Sequence, residues 1–118
     1  MKSPSSLFLI ITLASVVASG SLIAETLTPE EAKNHGGEVA TVTGRVVEFR
    51  TISGEAFLDM GKRHPKETFT VFCAPETRIS RKTLSRFEGK TISVTGKIEL
   101  YQDRPEIVLT SLDQIVKR

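Results

Sequence analysis

Apolar and polar positions alternate along most of the chain after residue 38, which is the pattern of β-strands with one buried face. The clearest strand is 91–101, where the apolar face consists of Ile92, Val94, Ile98 and Leu100. Shorter alternating or apolar stretches predict four more strands, at 38–50, 56–60, 68–73 and 105–110. The pattern therefore predicts a mainly β domain of five strands.

Two segments between these strands carry helix signals. In the first, Thr28 is a capping residue, Pro29 suits the first helical turn, Glu31 completes a capping box, and the glycine pair 36–37 ends the segment. The second, 78–88, mixes charged residues with three spaced apolar ones. We expect a short N-terminal helix and a short helix between strands three and four.

A motif that occurs in two of the strands indicates how the sheet closes. Val42-Thr43-Gly44-Arg45-Val46 and Val94-Thr95-Gly96-Lys97-Ile98 share the order apolar, threonine, glycine, basic, β-branched. A glycine inside a strand permits the strong bend that a small closed barrel needs. Five such strands, with a helical insertion between the third and fourth, match the OB-type Greek-key barrel, which binds ligands on one face and its rim loops.

The first 24 residues predict a secretory signal peptide. Lys2 supplies a positive charge, and 7–17 form an uncharged, mostly apolar run. We favour cleavage after Ala24, with a site near Gly20 as the alternative. An uncleaved anchor is disfavoured, because a bilayer-spanning helix needs roughly 20 mainly apolar residues and small polar residues interrupt this stretch. The expected product is a single OB-fold domain, 25–118, in the periplasm or outside the cell, with no stable membrane span.

Cysteine content and charge restrict what can stabilise the fold and which ligands it can bind. The chain of 118 residues has one cysteine, Cys73, so no intramolecular disulfide can form and the fold must depend on packing. We expect a buried thiol, because Val71 and Phe72 precede it. Basic residues concentrate in 61–90, with eight cations against three acids. That segment could meet a polyanion, although scattered basic residues are more often simply solvated.

Several motifs spread along the chain together carry a resemblance to a known protein family. They are Phe57-Leu58-Asp59-Met60-Gly61-Lys62-Arg63-His64-Pro65, Thr68-Phe69-Thr70-Val71, Gly89-Lys90-Thr91, Val94-Thr95-Gly96-Lys97-Ile98, and Tyr101 followed by Pro105-Glu106-Ile107. Across most of 36–115 they resemble a family of bacterial exported OB-fold nucleic-acid-binding-like domains, whose relatives occur beside extracellular nuclease modules. The resemblance implies a nucleic-acid contact without an established activity. Residues 73–76 lack a tryptophan-glycine pair that relatives are expected to carry.

Binding of single-stranded nucleic acid requires aromatic faces for base stacking and basic groups for phosphates. If the aliphatic neighbours of Phe57 and Phe72 fill the barrel, alternation turns both rings to the outer face. The basic and aromatic residues expected near them on rim loops and strand ends are Arg50, Lys62, Arg63, Lys66, Tyr101 and Arg104. The competing interpretation buries both phenylalanines against the helical segments, since aromatic side chains dominate cores.

No residue pattern indicates catalysis, a metal or another cofactor. His35 and His64 are the only histidines, and neither stands in a recognised ligand spacing. Asp59 and Glu48 would form a hydrolytic pair only if the fold brought them together, and there is no nucleophile–base motif or glycine-rich phosphate loop. We therefore predict a protein that is not an enzyme.

A second function remains open on the sequence alone. After signal cleavage the chain carries one more basic than acidic residue. This near-neutral charge suits a periplasmic OB-fold module that binds a small ligand, a glycan or an envelope protein partner, without nucleic-acid activity, at least as well as it suits a nucleic-acid-binding protein.

Overall fold

The computed structural model describes residues 25–118, so the predicted signal peptide, 1–24, lies outside the described residues. The strands in chain order are β1 (Glu25–Leu27), β2 (Val39–Ile52), β3 (Glu55–Met60), β4 (Phe69–Cys73), β5 (Thr91–Tyr101), β6 (Arg104–Val108) and β7 (Ile115–Lys117). One α-helix of this part of the chain, α1 (Arg81–Ser85), follows β4, and 3-10 helices span Ala32–His35 and Leu112–Gln114. No helix within 25–118 has the length and apolar character to cross a membrane.

Five of these strands close into a barrel. β2 pairs antiparallel with β3, and β3 pairs antiparallel with β4. β4 then pairs in parallel with β6, β6 pairs antiparallel with β5, and β5 returns to β2. A closed, five-stranded Greek-key barrel of this kind is the OB architecture. β1 extends the sheet beside β2, and β7 extends it beside β5.

The strand count differs from the five predicted, because β1 and β7 were not foreseen. Each contains three residues. Hydrophobic alternation cannot be recognised over so short a stretch, and both strands form only because the barrel offers them an edge with unpaired backbone groups.

The helical segments are also shorter than predicted. The capping box forms: the Thr28 amide donates to Glu31 Oε1 at 2.9 Å, and the Glu31 amide donates to Thr28 Oγ1 at 3.2 Å. A four-residue 3-10 helix follows it instead of an α-helix. The backbone hydrogen bonds of this segment join residues three apart, such as the bond from the Asn34 amide to the Glu31 carbonyl at 3.1 Å, and this is 3-10 geometry. Within 78–88, α1 covers five residues.

Within the five-stranded barrel, each of the two glycine-containing strands changes its antiparallel partner part-way along its length, which is how it turns a corner of the barrel. β2 leaves β5 after residue 45 and joins β3, with an irregular register between Val46 and Glu48. β5 leaves β2 after residue 97 and joins β6. Close packing explains the glycines: a Cβ on Gly44 would lie 2.6 Å from Pro29 Cγ, and one on Gly96 would lie 2.7 Å from a methyl carbon of Ile107.

The interior of the barrel is almost entirely aliphatic. Its largest fully buried side chains are Phe69, Leu58, Met60, Leu84, Ile92, Ile98, Ile107 and Leu109. Burial of a side chain of this size stabilises the fold by about 1.5–3 kcal/mol. Cys73 lies in the same core as a free thiol, which confirms the prediction of a buried cysteine.

Candidate ligand-binding face

A pair of aromatic rings stands on the outer face of β3 and β4. Phe57 and Phe72 lie directly opposite each other in the antiparallel register. Their ring centroids are 5.4 Å apart, and the ring planes are tilted by 48°. Both side chains are half-buried and lie outside the core cluster, because their strand neighbours Leu58 and Val71 point into the barrel. The structure thus places both rings on the outer face, whereas their role in binding stays a prediction.

Two tight turns border this pair of rings. Ser53–Gly54 joins β2 to β3, and Gln102–Asp103 joins β5 to β6. All four residues have positive φ, at 51°, 86°, 51° and 65° in chain order, as the turns of two-residue hairpins do. Tyr101, beside the second turn, is 63 % exposed. OB barrels use this face and these two loops to bind ligands.

Two adjacent depressions cross the face and meet at the rings. The larger, called the cleft here, has a volume of about 260 Å³, and its walls include Arg50, His64, Glu67, Tyr101, Arg104 and Glu106. The smaller, called the ring pocket, has a volume of about 210 Å³ and is lined by Glu55, Phe57, Phe72, Tyr101 and Glu106. Phe57, Tyr101 and Glu106 line both depressions, so the two form one continuous surface.

Arg50, predicted to be near the rings, is there, but its charge is already paired. Its Nε donates to Asp59 Oδ2 at 2.6 Å, and its Nη2 donates to Glu67 Oε2 at 3.2 Å. The guanidinium carbon also lies 4.0 Å from the centroid of Phe57, over the ring. Asp59 is fully buried, so it requires this cation as a partner. Arg50 therefore stabilises the fold and covers part of one candidate stacking ring.

The other two predicted arginines are ion-paired as well. Arg104 Nη1 lies 3.0 Å from Glu67 Oε2, and Arg63 Nη2 lies 3.1 Å from Glu48 Oε2. Glu48 also accepts a hydrogen bond from the backbone amide of His64 at 3.0 Å. These contacts attach the loop between β3 and β4 to the barrel, and they reduce the positive charge available to a phosphate.

Glu67 is the centre of this charged network. Its side chain is 3 % exposed and contacts Arg50, Arg104 and His64, whose Nδ1 is 3.3 Å away. Burial raises the pKa of Glu67, but its backbone hydrogen bond, the hydrogen bond with His64 and the charges of Arg104 and His64 together outweigh burial and lower the pKa below its ordinary value. At neutral pH the cleft therefore contains a buried, well-paired anion.

Lys62 and Lys66 differ from the three arginines. Both are exposed on the loop between β3 and β4. Within residues 25–118, neither ammonium group has a carboxylate oxygen within 4.0 Å. Of the five cations that the sequence predicts for this site, only these two retain an unpaired charge.

The ring pocket contains two acidic residues that sequence reasoning missed. Glu55 and Glu106 line it, and no arginine or lysine of the described chain does. Glu106 lies opposite Glu99 in the β5–β6 register, and burial together with the charge of Glu99 raises the pKa of Glu106. The alternation that places Phe57 outward also places Glu55 outward, two residues earlier, so this signal was available in the sequence.

A separate cluster brings together Glu25, His35 and Glu38, with one potential ligand atom from each inside 4.8 Å. His35 Nδ1 is 2.8 Å from Glu38 Oε1 and 3.9 Å from Glu25 Oε1. The hydrogen bond with Glu38 raises the pKa of His35. The cluster is therefore explained as a surface ion pair. The sequence could not show it, because Glu25 belongs to β1, a strand that the sequence pattern did not predict.

No protein-family model and no curated protein sequence matches the chain. Solved structures match it in fold. An asparaginyl-tRNA synthetase from Pyrococcus horikoshii aligns over 80 % of this chain with a TM-score of 0.55 and 13 % identity, so that this chain spans 23 % of the synthetase chain. The OBody AM1L10, solved bound to hen egg-white lysozyme, aligns over 80 % of this chain and 93 % of its own, with a TM-score of 0.55 and 15 % identity.

A chain of the S. pombe Stn1-ten1 complex aligns over 68 % of this chain and 57 % of its own, with a TM-score of 0.50 and 16 % identity. The likeness is one of fold. The structural alignments and the strand pairing establish an OB barrel. At identities this low they show the fold alone, so the ligand has to be argued from the residues on the face of the barrel.

Proposed function

We propose that the chain is an exported, non-catalytic OB-fold module that binds single-stranded nucleic acid on the β3–β4 face. The observation that carries the proposal is the cross-strand pair of Phe57 and Phe72, which stands outside the core beside the exposed Tyr101. Stacking of a base on an aromatic side chain contributes about 1–3 kcal/mol and tolerates any base sequence. The occurrence of the fold in an asparaginyl-tRNA synthetase supports the same proposal.

The ion pairs on this face limit how many phosphates it can neutralise. For a single strand, log K falls with log salt concentration by about 0.7 for each phosphate contact. If only Lys62 and Lys66 contact phosphates, the slope is about −1.4, whereas all five predicted cations would give about −3.5. We therefore expect stacking to supply most of the affinity.

The test is fluorescence anisotropy with a labelled single-stranded oligonucleotide across a salt series. The Lys62→Gln/Lys66→Gln variant should bind more weakly at low salt and flatten the slope. Lys33→Gln/Lys97→Gln is a matched control, because it removes the same charge from exposed positions elsewhere on the barrel. Absence of binding at low salt, or equal effects of the two double variants, would contradict the proposal.

The unpaired carboxylates favour a second candidate function. Glu55 and Glu106 repel phosphates, so the face also suits a small ligand, a glycan or a protein partner that carries no negative charge. OB barrels take oligosaccharides on the same surface. A ligand of this class would bind with little dependence on salt, which the same titration series measures.

Export and the absence of catalysis are parts of the proposal with their own tests. Export rests on the apolar N-terminal segment of the sequence, and mass spectrometry of the protein secreted by a bacterial host should find a chain that begins at Glu25. Asp59 and Glu48 lie opposite each other in the β2–β3 register, and the non-catalytic role is supported by the ion pair that each carboxylate forms with an arginine. Hydrolysis of a single-stranded oligonucleotide by the pure protein would contradict it.

A further inference from the structure

The ring pocket has the composition of a site for an organic cation. Three aromatic residues and two glutamates line it. Aromatic ring faces carry negative electrostatic potential and attract ammonium groups, most strongly where water is partly excluded. We propose that the ring pocket binds a quaternary ammonium head group. Its methyl groups contact Phe57, Phe72 and Tyr101, and its charge is balanced by Glu55 and Glu106.

The volume of the pocket fits a head group better than a whole ligand. Pockets for drug-sized molecules usually exceed about 300 Å³. The ring pocket measures about 210 Å³ and opens beside the cleft of about 260 Å³. The cation therefore occupies the ring pocket, and the rest of the ligand lies along the cleft.

Neighbouring contacts fix the walls of this pocket before any ligand binds. Phe57 packs against Phe72 on the neighbouring strand and against the guanidinium of Arg50. The turn that precedes Glu55 is anchored by Arg81, whose Nη2 donates to the Gly54 carbonyl at 2.8 Å. Preformed walls lower the entropic cost of binding, which matters most for a ligand group with few contacts.

The charge of the pocket is also unsatisfied in the protein itself. Within residues 25–118, no arginine, lysine or histidine nitrogen lies within 4.0 Å of a Glu55 or Glu106 carboxylate oxygen. The raised pKa of Glu106 has the sign expected for a partly buried carboxyl beside another acid. An ammonium group between the two glutamates supplies the missing countercharge.

The decisive comparison is between choline and 3,3-dimethyl-1-butanol, the uncharged alcohol in which carbon replaces the choline nitrogen. In an NMR titration of the domain 25–118, choline should shift the aromatic resonances of the pocket. The Kd should lie in the millimolar range, as expected of a few cation–π contacts. The alcohol has the same shape without the charge and should give little or no shift. Equal responses to both compounds, or none to choline, would overturn the proposal.

Charge removal separates this proposal from nucleic-acid binding. Glu55→Gln/Glu106→Gln should weaken choline binding about ten-fold, since two carboxylates contribute to its attraction. The same variant should leave oligonucleotide binding unchanged or strengthen it, because the lost charges repel phosphates. Glu30→Gln/Glu76→Gln, at exposed positions outside the pocket lining, is the control.

The outcomes of these titrations are distinct. If choline binds and the oligonucleotide does not, the pocket proposal stands and the proposed nucleic-acid function fails. A thermal melt shows whether the Glu55→Gln/Glu106→Gln variant is folded. If the folded variant binds choline as tightly as the unchanged protein, the pocket proposal fails, while the proposed nucleic-acid function is unaffected.

Discussion

The two halves of the candidate ligand-binding face, the cleft and the ring pocket, differ in how their charges are balanced. In the cleft, the lining residues Arg50 and Arg104 meet the carboxylates of Asp59 and Glu67 at hydrogen-bonding distance. In the ring pocket, the carboxylates of Glu55 and of Glu106, which also borders the cleft, have no such partner within the described chain. A buried pair contributes to holding the fold, and breaking it is costly, whereas an unpaired carboxylate is available to a ligand. Neighbouring residues on one sheet can therefore serve structure on one side and recognition on the other.

The largest effect should come from breaking the cleft network at Asp59. Asp59→Ala leaves the guanidinium of Arg50, whose side chain is 14 % exposed, without its closest partner. Removal of one member of a buried ion pair costs about 3–5 kcal/mol. Urea unfolding measures the loss, and Asp113→Ala at an exposed position is the control. A loss below about 1 kcal/mol, within the range of exposed ion pairs, would contradict the structural role assigned to the cleft charges.

On the ring-pocket side, Arg81 has the structural role that Arg50 has in the cleft. Its guanidinium donates to the carbonyls of Gly54, Ala74, Thr77 and Ile79 and to Cys73 Sγ, at 2.8 to 3.2 Å. Arg81→Lys keeps the charge but loses the planar fork, so we expect about 2 kcal/mol of destabilisation. Arg78→Lys, exposed on the preceding loop, should change the urea midpoint little. Equal midpoints for the two variants would argue against this anchoring.

Phe57 belongs to both depressions, so its removal should affect both kinds of ligand. Phe57→Ala should weaken oligonucleotide binding by about ten-fold, the loss of one stacked base, and weaken choline binding as well. Its melting temperature should fall far less than that of Phe69→Ala, which empties a fully buried position and costs about 3–5 kcal/mol. If Phe57→Ala unfolds the domain as readily as Phe69→Ala, the ring is core and the interpretation as an exposed platform is wrong.

The pH dependence of stability should have opposite signs in the two halves. The lowered pKa of Glu67 means that its carboxylate stabilises the fold above the ordinary glutamate pKa, and that this contribution is lost as pH falls through the folded pKa. The raised pKa of Glu106 means that its ionisation opposes folding, with a penalty that grows as pH rises through the folded pKa.

Urea unfolding at several pH values tests both signs. At neutral pH, Glu67→Gln should destabilise the protein and Glu106→Gln should stabilise it slightly. Both differences from the unchanged protein should shrink as the pH falls below the ordinary glutamate pKa. Glu30→Gln serves as the exposed control. The contrast between the halves is lost if the two variants shift stability in the same direction at neutral pH.

What the sequence could predict depends on how local each signal is. Alternation with period two is local, and it placed Phe57 and Phe72 on the outer face because the buried neighbours of each ring adjoin it in the chain. The partners of Arg50 and Arg104 depend on which strands and loops the barrel brings together, so their neutralisation could not be foreseen. The same holds for β1 and β7, whose three residues carry no periodic pattern of their own.

The smallest effect concerns the turn Gln102–Asp103, of which Gln102 lines the cleft. Both residues adopt positive φ without being glycine, which disfavours them in a two-residue hairpin where Asn-Gly is preferred. Gln102→Asn/Asp103→Gly should therefore raise stability by about 0.5–1 kcal/mol, measured by urea unfolding. Tyr101 and Arg104 flank the turn as a register pair, so the change leaves their positions intact. Choline and oligonucleotide affinities should both be retained; loss of either one alone would identify the Gln102 or Asp103 side chain as a ligand contact specific to that half of the face.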